Sequence, residues 1–186
     1  MRILLILLLT FVMIPSASAE GMLVHYVFPH AGFRIDLPPE WRAAFLPTEE
    51  FSFPRWDRSD GTHLEIYAYR GARKQNVRGY VRRRDAETKT NCDGKPVSRV
   101  LSRRWITVDG TPALVRREKN CMVNREFLEI FAIHGQQVAE ISIDNAALKK
   151  LRTADMRLPE EILQTFRFTA ENMQKRPSSE TYGTER

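Results

Sequence analysis

From residue 20 onward the chain reads mainly as short runs in which apolar and polar positions alternate. In HLEIYAYR, Leu64, Ile66 and Ala68 alternate with His63, Glu65, Tyr67 and Tyr69, the period of two that turns one face of a strand inward. HYVFPH and GFRIDL are two further strand runs, separated by the turn-forming group from Pro29 to Gly32. RWITVDGTPALVRRE carries Asp109-Gly110 between two strand-like runs, a strong hairpin signal. REFLEIFAIHGQQVAEISID repeats the scheme around His134-Gly135 with weaker turn chemistry. The four runs from Val97 to Asp144 therefore predict an antiparallel meander.

Helical periodicity falls elsewhere. NVRGYVRRRDAETK places Val77, Tyr80 and Val81 at i, i+3, i+4, a narrow stripe that can pack on a sheet. NAALKKLR opens on Asn145, a good N-cap, and predicts a second helix. PEEILQTF starts with Pro159 at a first helical position and puts Glu160 and Glu161 where carboxylates favour the helix dipole. FRFTA closes the domain as a last strand.

The stretch AGFRIDLPPEWRA reads as a corner of the fold. Phe33, Ile35 and Leu37 share one strand face, and Arg34 and Asp36 point the other way. Pro38 stops a central ladder, Pro39-Glu40 can start a helical turn, and Trp41 lands where a large ring can cover the sheet end.

The first 20 residues, MRILLILLLTFVMIPSASAE, have a different pattern. Arg2 precedes an apolar run from Ile3 to Ile14, and a small-residue segment ends in an A-x-A motif at Ala19. The run is shorter than the roughly 20 apolar residues a bilayer span needs, so residues 1–19 read as a cleaved signal peptide, with no transmembrane anchor afterwards. Residues 20–169 then form a single domain, and residues 170–186, with almost no apolar content, a disordered tail. The expected location is periplasmic or secreted.

GFRIDLPPEW near the mature N-terminus, ITVDGTPALV in the middle and LPEEILQTFRFT at the end resemble, in that order, segments of the PsbP-like family. That family includes the photosystem II extrinsic protein P, and a nuclear Ran-binding protein shares its fold. The resemblance implies an α/β/α sandwich, here an α+β antiparallel sheet of about six to seven strands with helices packed on it. It also implies a binding or assembly role without shared catalytic machinery; because members differ in function, the fold does not hand one over. The cysteine pair and the arginine density depart from the family pattern.

Cys92 and Cys121 are the chain's only cysteines, and in an oxidising compartment such a pair reads as one disulfide. Closing the 28 residues between them is worth roughly 3–4 kcal/mol on the loop-entropy model. Neither cysteine has a nearby second ligand, so no metal is implied.

Charge is segregated. The segment from Arg70 to Lys119 holds 15 Lys+Arg and 5 Asp+Glu, whereas the rest of the mature chain is net acidic. Arg82, Arg83 and Arg84 lie on the predicted helix, and Arg103-Arg104 and Arg116-Arg117 flank the Asp109-Gly110 hairpin. A two-residue turn puts Arg103 opposite Arg116, which is unfavourable unless an acid or an external anion intervenes. Glu129 and Glu140, opposite each other if His134-Gly135 is the turn, are the acids considered for that place. The seven arginines are thus either an internally paired Arg–Glu ladder or a surface for an anionic partner.

Catalytic signatures for nucleophile elbows, zincins, phosphate loops and dinucleotide folds do not occur in the sequence. His63 and Glu65, about 7 Å apart on one strand face, are the residues a hydrolase or metal site would use, without an evident third ligand. Glu49-Glu50 and Glu160-Glu161 are adjacent pairs whose side chains diverge. The aromatics are not interleaved with the arginines as a nucleic-acid platform requires. The expectation is an exported, non-enzymatic binding or assembly protein with no cofactor, engaging a protein or an anionic envelope component. An immunity or inhibitor protein, or a hydrolase around His63 and Glu65, are the alternatives.

Overall fold

The computed structural model describes residues 23–45, 53–71, 73–86, 90–92 and 95–169. The chain enters through β1 (Val24–Phe28), β2 (Phe33–Leu37), β3 (Trp41–Phe45), β4 (Arg55–Arg58) and β5 (Thr62–Arg70). Helix α1 (Val77–Ala86) follows, then a small ribbon of β6 (Thr90–Cys92) and β7 (Lys95–Pro96). The predicted meander comprises β8 (Ser98–Val108), β9 (Thr111–Asn120), β10 (Arg125–His134) and β11 (Gln137–Asn145). A 3-10 turn (Asp155–Arg157) leads into α2 (Leu158–Leu163) and β12 (Arg167–Phe168).

Seven strands form one antiparallel sheet in the order β3-β4-β5-β11-β10-β9-β8. The fold is the α+β antiparallel architecture expected. One of its covering layers is itself part sheet: β1, β2 and β12 pair in the order β1-β2-β12 and, with α2, close one face of the large sheet. Leu64, Ile66, Leu128, Ile130, Ile141 and Ile143 line that face, and Phe33, Ile35, Leu37 and Phe166 meet them, all fully buried. Cutting one such leucine to alanine costs about 3 kcal/mol. The strand 33–37 thus buries its odd positions as its alternation predicts, and Trp41, buried at the start of β3, caps the sheet end under the Arg58 guanidinium.

On the opposite face α1 covers one end only. Val77, Tyr80 and Val81 pack on Tyr69, Leu114, Phe131, Ile133 and Val138. The rest of that face is mainly polar and charged, with exposed Trp105 among its aromatics.

Two turns set the registers. Asp109 and Gly110 both have positive φ, 47° and 71°, the type I′ pattern that an Asp-Gly pair supports. Val108 accordingly pairs with Thr111, and Arg103 with Arg116, as the turn predicts. At the next hairpin His134 still pairs with Gln137, so the turn is Gly135-Gln136. Gly135, at φ 65°, takes the first central position, where histidine would be strained. The register around His134-Gly135 is therefore corrected: Glu140 lies opposite Phe131, and Glu129 opposite Ser142.

The helix predicted from Asn145 does not form. Asn145 ends β11, buried, and its amide donates to the Asp60 carbonyl at 3.1 Å and to Thr62 Oγ1 at 3.2 Å. Its Oδ1 accepts from the Ala147 N–H, closing a turn in place of a helix start. An ion network then ties this segment down. Arg152 donates to Asp155 at 2.8 Å and to Asp60 at 2.8 Å, and Arg58 grips Asp60 at 2.7 and 3.0 Å. Arg58 holds the Asp60 carboxyl well below its usual range; at Asp155 burial pushes the other way, and the Arg152 hydrogen bonds outweigh it.

No helix among the described residues is long and apolar enough to cross a membrane. The expected signal peptide 1–19, the tail 170–186 and the Glu49-Glu50 pair lie outside the described residues.

Candidate functional site

The segregated arginines converge on α1 and on the β9–β8 side of the sheet, and there they divide into two sets. Helix α1 begins where Asn76 Oδ1 accepts the Gly79 N–H at 2.8 Å, a side-chain N-cap. Its apolar stripe seats it on the sheet, which fixes where each arginine projects. Arg84 leans inward over the Phe131 ring and ion-pairs with Glu140 at 2.6 Å, with Glu129 at 4.0 Å. Asp85, one residue on, meets Arg116 at 2.5 Å.

On the helix-bearing face, Glu65, Ser142, Glu129, Arg116 and Arg103 form one cross-strand row spanning β5, β11, β10, β9 and β8. Arg116 is buried, stacks on Phe131 at 4.8 Å, and pairs with Glu118 as well as Asp85. Glu140 also accepts from the Tyr80 hydroxyl, which in turn contacts the Tyr69 hydroxyl at 2.7 Å. Burial pushes the Glu129 carboxyl up to about 7, with Glu118 and Glu140 adding to that push and Arg84 and Arg116 opposing it. Acids therefore do stand among the arginines, and Glu129 lies opposite Arg116 across β9–β10.

Two more of the seven arginines are paired on the other face. Arg117 donates to Glu126 Oε2 at 2.6 and 3.0 Å, and that carboxylate also accepts the Leu151 N–H. Arg104 donates to Glu160 at 2.9 Å, tying β8 to α2.

The remaining candidates face outward. Arg82 and Arg83 are exposed on α1; Arg83 reaches Gln75. Arg103 is 57% exposed, and its nearest acid, Asp85, is 3.9 Å away and already engaged by Arg116. Two residues that the sequence reading passed over complete this surface. Trp105 is 47% exposed, and the Arg78 guanidinium lies over its ring at 5.5 Å. Arg78, Arg82 and Asp85 stand at i, i+4 and i+7, one helix stripe, and the contacts of Arg78 and Asp85 turn that stripe toward β8. Arg78, Arg82, Arg103 and Trp105 thus make a basic and aromatic strip along the outer side of α1 and β8. The signals that could have found it are the i, i+4 spacing of Arg78 and Arg82 and the two-residue spacing of Arg103 and Trp105.

His63 sits half-buried on the open part of the same sheet face. Its Nδ1 is 2.6 Å from Asp57, and Arg55 donates to Asp57 at 2.9 Å. In register, His63 lies between Asp57 on β4 and Asp144 on β11. Burial raises Asp144, opposed by His63 and Arg125. Glu65 is exposed on the adjacent row beside Arg55. His63 is thus brought to carboxylates and an arginine, and Glu65 projects into solvent. Among the described residues no cluster of three or more His, Cys, Asp or Glu could hold a metal ion.

Cys121 follows β9 directly, its N–H donating to the Val97 carbonyl at 2.9 Å. The Cys92 side chain, and with it the expected pairing, lies outside the described residues.

No family model and no curated protein matches the chain. Among solved structures it is similar to cyanobacterial PsbP from Synechocystis, at 10% identity and a TM-score of 0.48, over 83% of this chain and 98% of that one. It is similar also to the Saccharomyces cerevisiae Ran-binding protein Mog1p, at 12% identity and a TM-score of 0.48, over 80% and 96% of the two chains. Both are likenesses of fold alone.

Proposed function

We propose that this chain is an exported, non-enzymatic binding or assembly protein that engages an acidic partner, a protein or an envelope component, through arginines on α1 and β8. The observation that carries the reading is the division of the arginines. Arg84, Arg104, Arg116 and Arg117 have acids in direct contact, while Arg78, Arg82 and Arg103 stand outward around an exposed tryptophan. Paired arginines serve the fold, and exposed ones beside an aromatic ring suit a carboxylate-bearing surface. The signal-like leader and the Cys92–Cys121 pair belong with this reading, since both suit a periplasmic or secreted setting.

The test is capture from envelope extract with the mature protein and with an Arg78→Glu/Arg82→Glu/Arg103→Glu variant, read by mass spectrometry. Loss of a specific set of bound acidic components in the variant is expected. Equal recovery by both proteins contradicts the reading.

A further inference from the structure

The outer edge of the large sheet on this side is β8, 11 residues long, and no strand among the described residues pairs with its free side. The opposite edge, β3, has only five residues. A long open edge presents a row of unpaired N–H and C=O groups, which natural sheets blunt with bulges, prolines or charge. In β8 the register shifts between Val100 and Ser102, and from Arg103 to Val108 it runs regular and without proline. That regular half carries Arg103 and Trp105 on the helix-bearing face, and Trp105 is 47% exposed. Charge protects this edge from copies of itself, because a β8–β8 pairing would bring Arg99, Arg103 and Arg104 of two chains together. The same charge attracts an acidic strand.

We infer that β8 receives an extended acidic segment of a partner protein as an eighth strand of the sheet. Backbone hydrogen bonds would come from the regular half of β8, and selectivity from its side chains. Residues two apart in the added strand share a face, so a carboxylate beside Arg103 and Arg82 falls two positions from an apolar residue beside Trp105. The recognised pattern is therefore acid–x–apolar in a β-competent segment. This inference rests on the functional reading above, and narrows its partner to a polypeptide and its docking to one edge.

The probe is a synthetic peptide, Thr-Glu-Thr-Val-Thr-Glu-Thr-Val-Thr-Glu, titrated against the full mature protein. Its counterpart carries N-methyl groups on alternate residues along the edge-pairing side, and poly-glutamate serves as a charge-only ligand. Binding of the plain peptide, at least tenfold weaker binding of the N-methylated one, and slowed amide exchange within Ser98–Val108 are expected. Arg103→Glu and Trp105→Ala should each weaken the plain peptide by about tenfold, the effect of losing one charged or aromatic contact. Equal binding of the two peptides, unchanged exchange in β8, or a dimer that the peptide does not disperse overturns strand addition and leaves the acid-binding reading standing. Failure of both peptides and of poly-glutamate to bind overturns both.

Discussion

Arg103 and Arg116 face each other across the β8–β9 hairpin, yet one is 57% exposed and the other is buried between Asp85 and Glu118. The conflict of two like charges in one register is resolved by sending one inward to acids from α1 and its own strand. The other is turned outward. This asymmetry divides the fold's structural charges from those that can meet a partner.

Stability should register the difference. Replacing Arg116 by alanine leaves Glu118 buried without its guanidinium and Asp85 with only Arg103, at 3.9 Å, and should lower the unfolding free energy by about 3 kcal/mol. Arg103→Ala should change it by less than about 0.5 kcal/mol, as exposed pairs do. Urea denaturation with both variants checks this, and equal losses would place the two arginines in equivalent environments.

The pH dependence has two arms with opposite signs. Asp60 and Asp155 are held below their ordinary value in the folded state, so their contribution is present above about pH 4 and is lost as the pH falls further. Glu129 is raised from 4.5 to about 7, so the folded state binds the extra proton between those values. Stability therefore falls as the pH rises through that window, by about 3 kcal/mol at most. The summed expectation is a maximum at about pH 5. Glu129→Gln should flatten the upper arm and leave the acid arm in place. Urea midpoints at pH 3, 5 and 7.5 measure both, and a midpoint that rises from pH 5 to 7.5 contradicts the assignment.

Asp155 offers a separate probe. Its carboxylate is fully buried, accepts from the Arg152 backbone and side chain and lies 4.0 Å from the Arg58 guanidinium of β4; the Arg152 side chain that it orients reaches Asp60 in the β4–β5 turn. Asp155→Asn should cost about 2 kcal/mol and release that segment first, seen as faster amide exchange between residues 146 and 157.

The cysteines carry a prediction of their own. Intact-mass measurement of the mature protein without reductant should read 2 Da lighter than the reduced form, the two hydrogens lost in forming one disulfide. Two thiols open to alkylation under native, non-reducing conditions contradict the pairing of Cys92 with Cys121.

Much of this architecture was legible in local pattern. Phe33, Ile35 and Leu37 alternate into the core as written, and Asp109-Gly110 set the register that opposes Arg103 to Arg116, because the Asp-Gly turn tolerates the two positive φ angles required. A turn at His134-Gly135 stands one residue too early, since both neighbouring pairs contain a glycine and only backbone geometry decides which place it takes. Asn145 has an N-cap's chemistry and its Oδ1 does take the Ala147 N–H, but it sits buried at the end of β11 with its Nδ2 bonded to the Asp60 carbonyl and Thr62, and a turn follows where a helix is expected. The partners of Arg116 were beyond local reading for a similar reason. Asp85 comes from a helix 31 positions earlier, and nothing in the spacing says which strand it will overhang. The exposed strip was half legible: Arg82 and Arg103 stood out by charge, whereas Trp105 reads as an ordinary strand aromatic until the edge of the sheet is known.

On the proposed reading, location and not net charge makes these arginines a binding surface. The most direct measurement is affinity for poly-glutamate of two variants with the same change in charge, Arg82→Glu/Arg103→Glu and Arg34→Glu/Arg42→Glu, the latter pair being exposed on β2 and β3. At least a tenfold loss is expected for the first and less than twofold for the second. Equal losses in the two variants would contradict it.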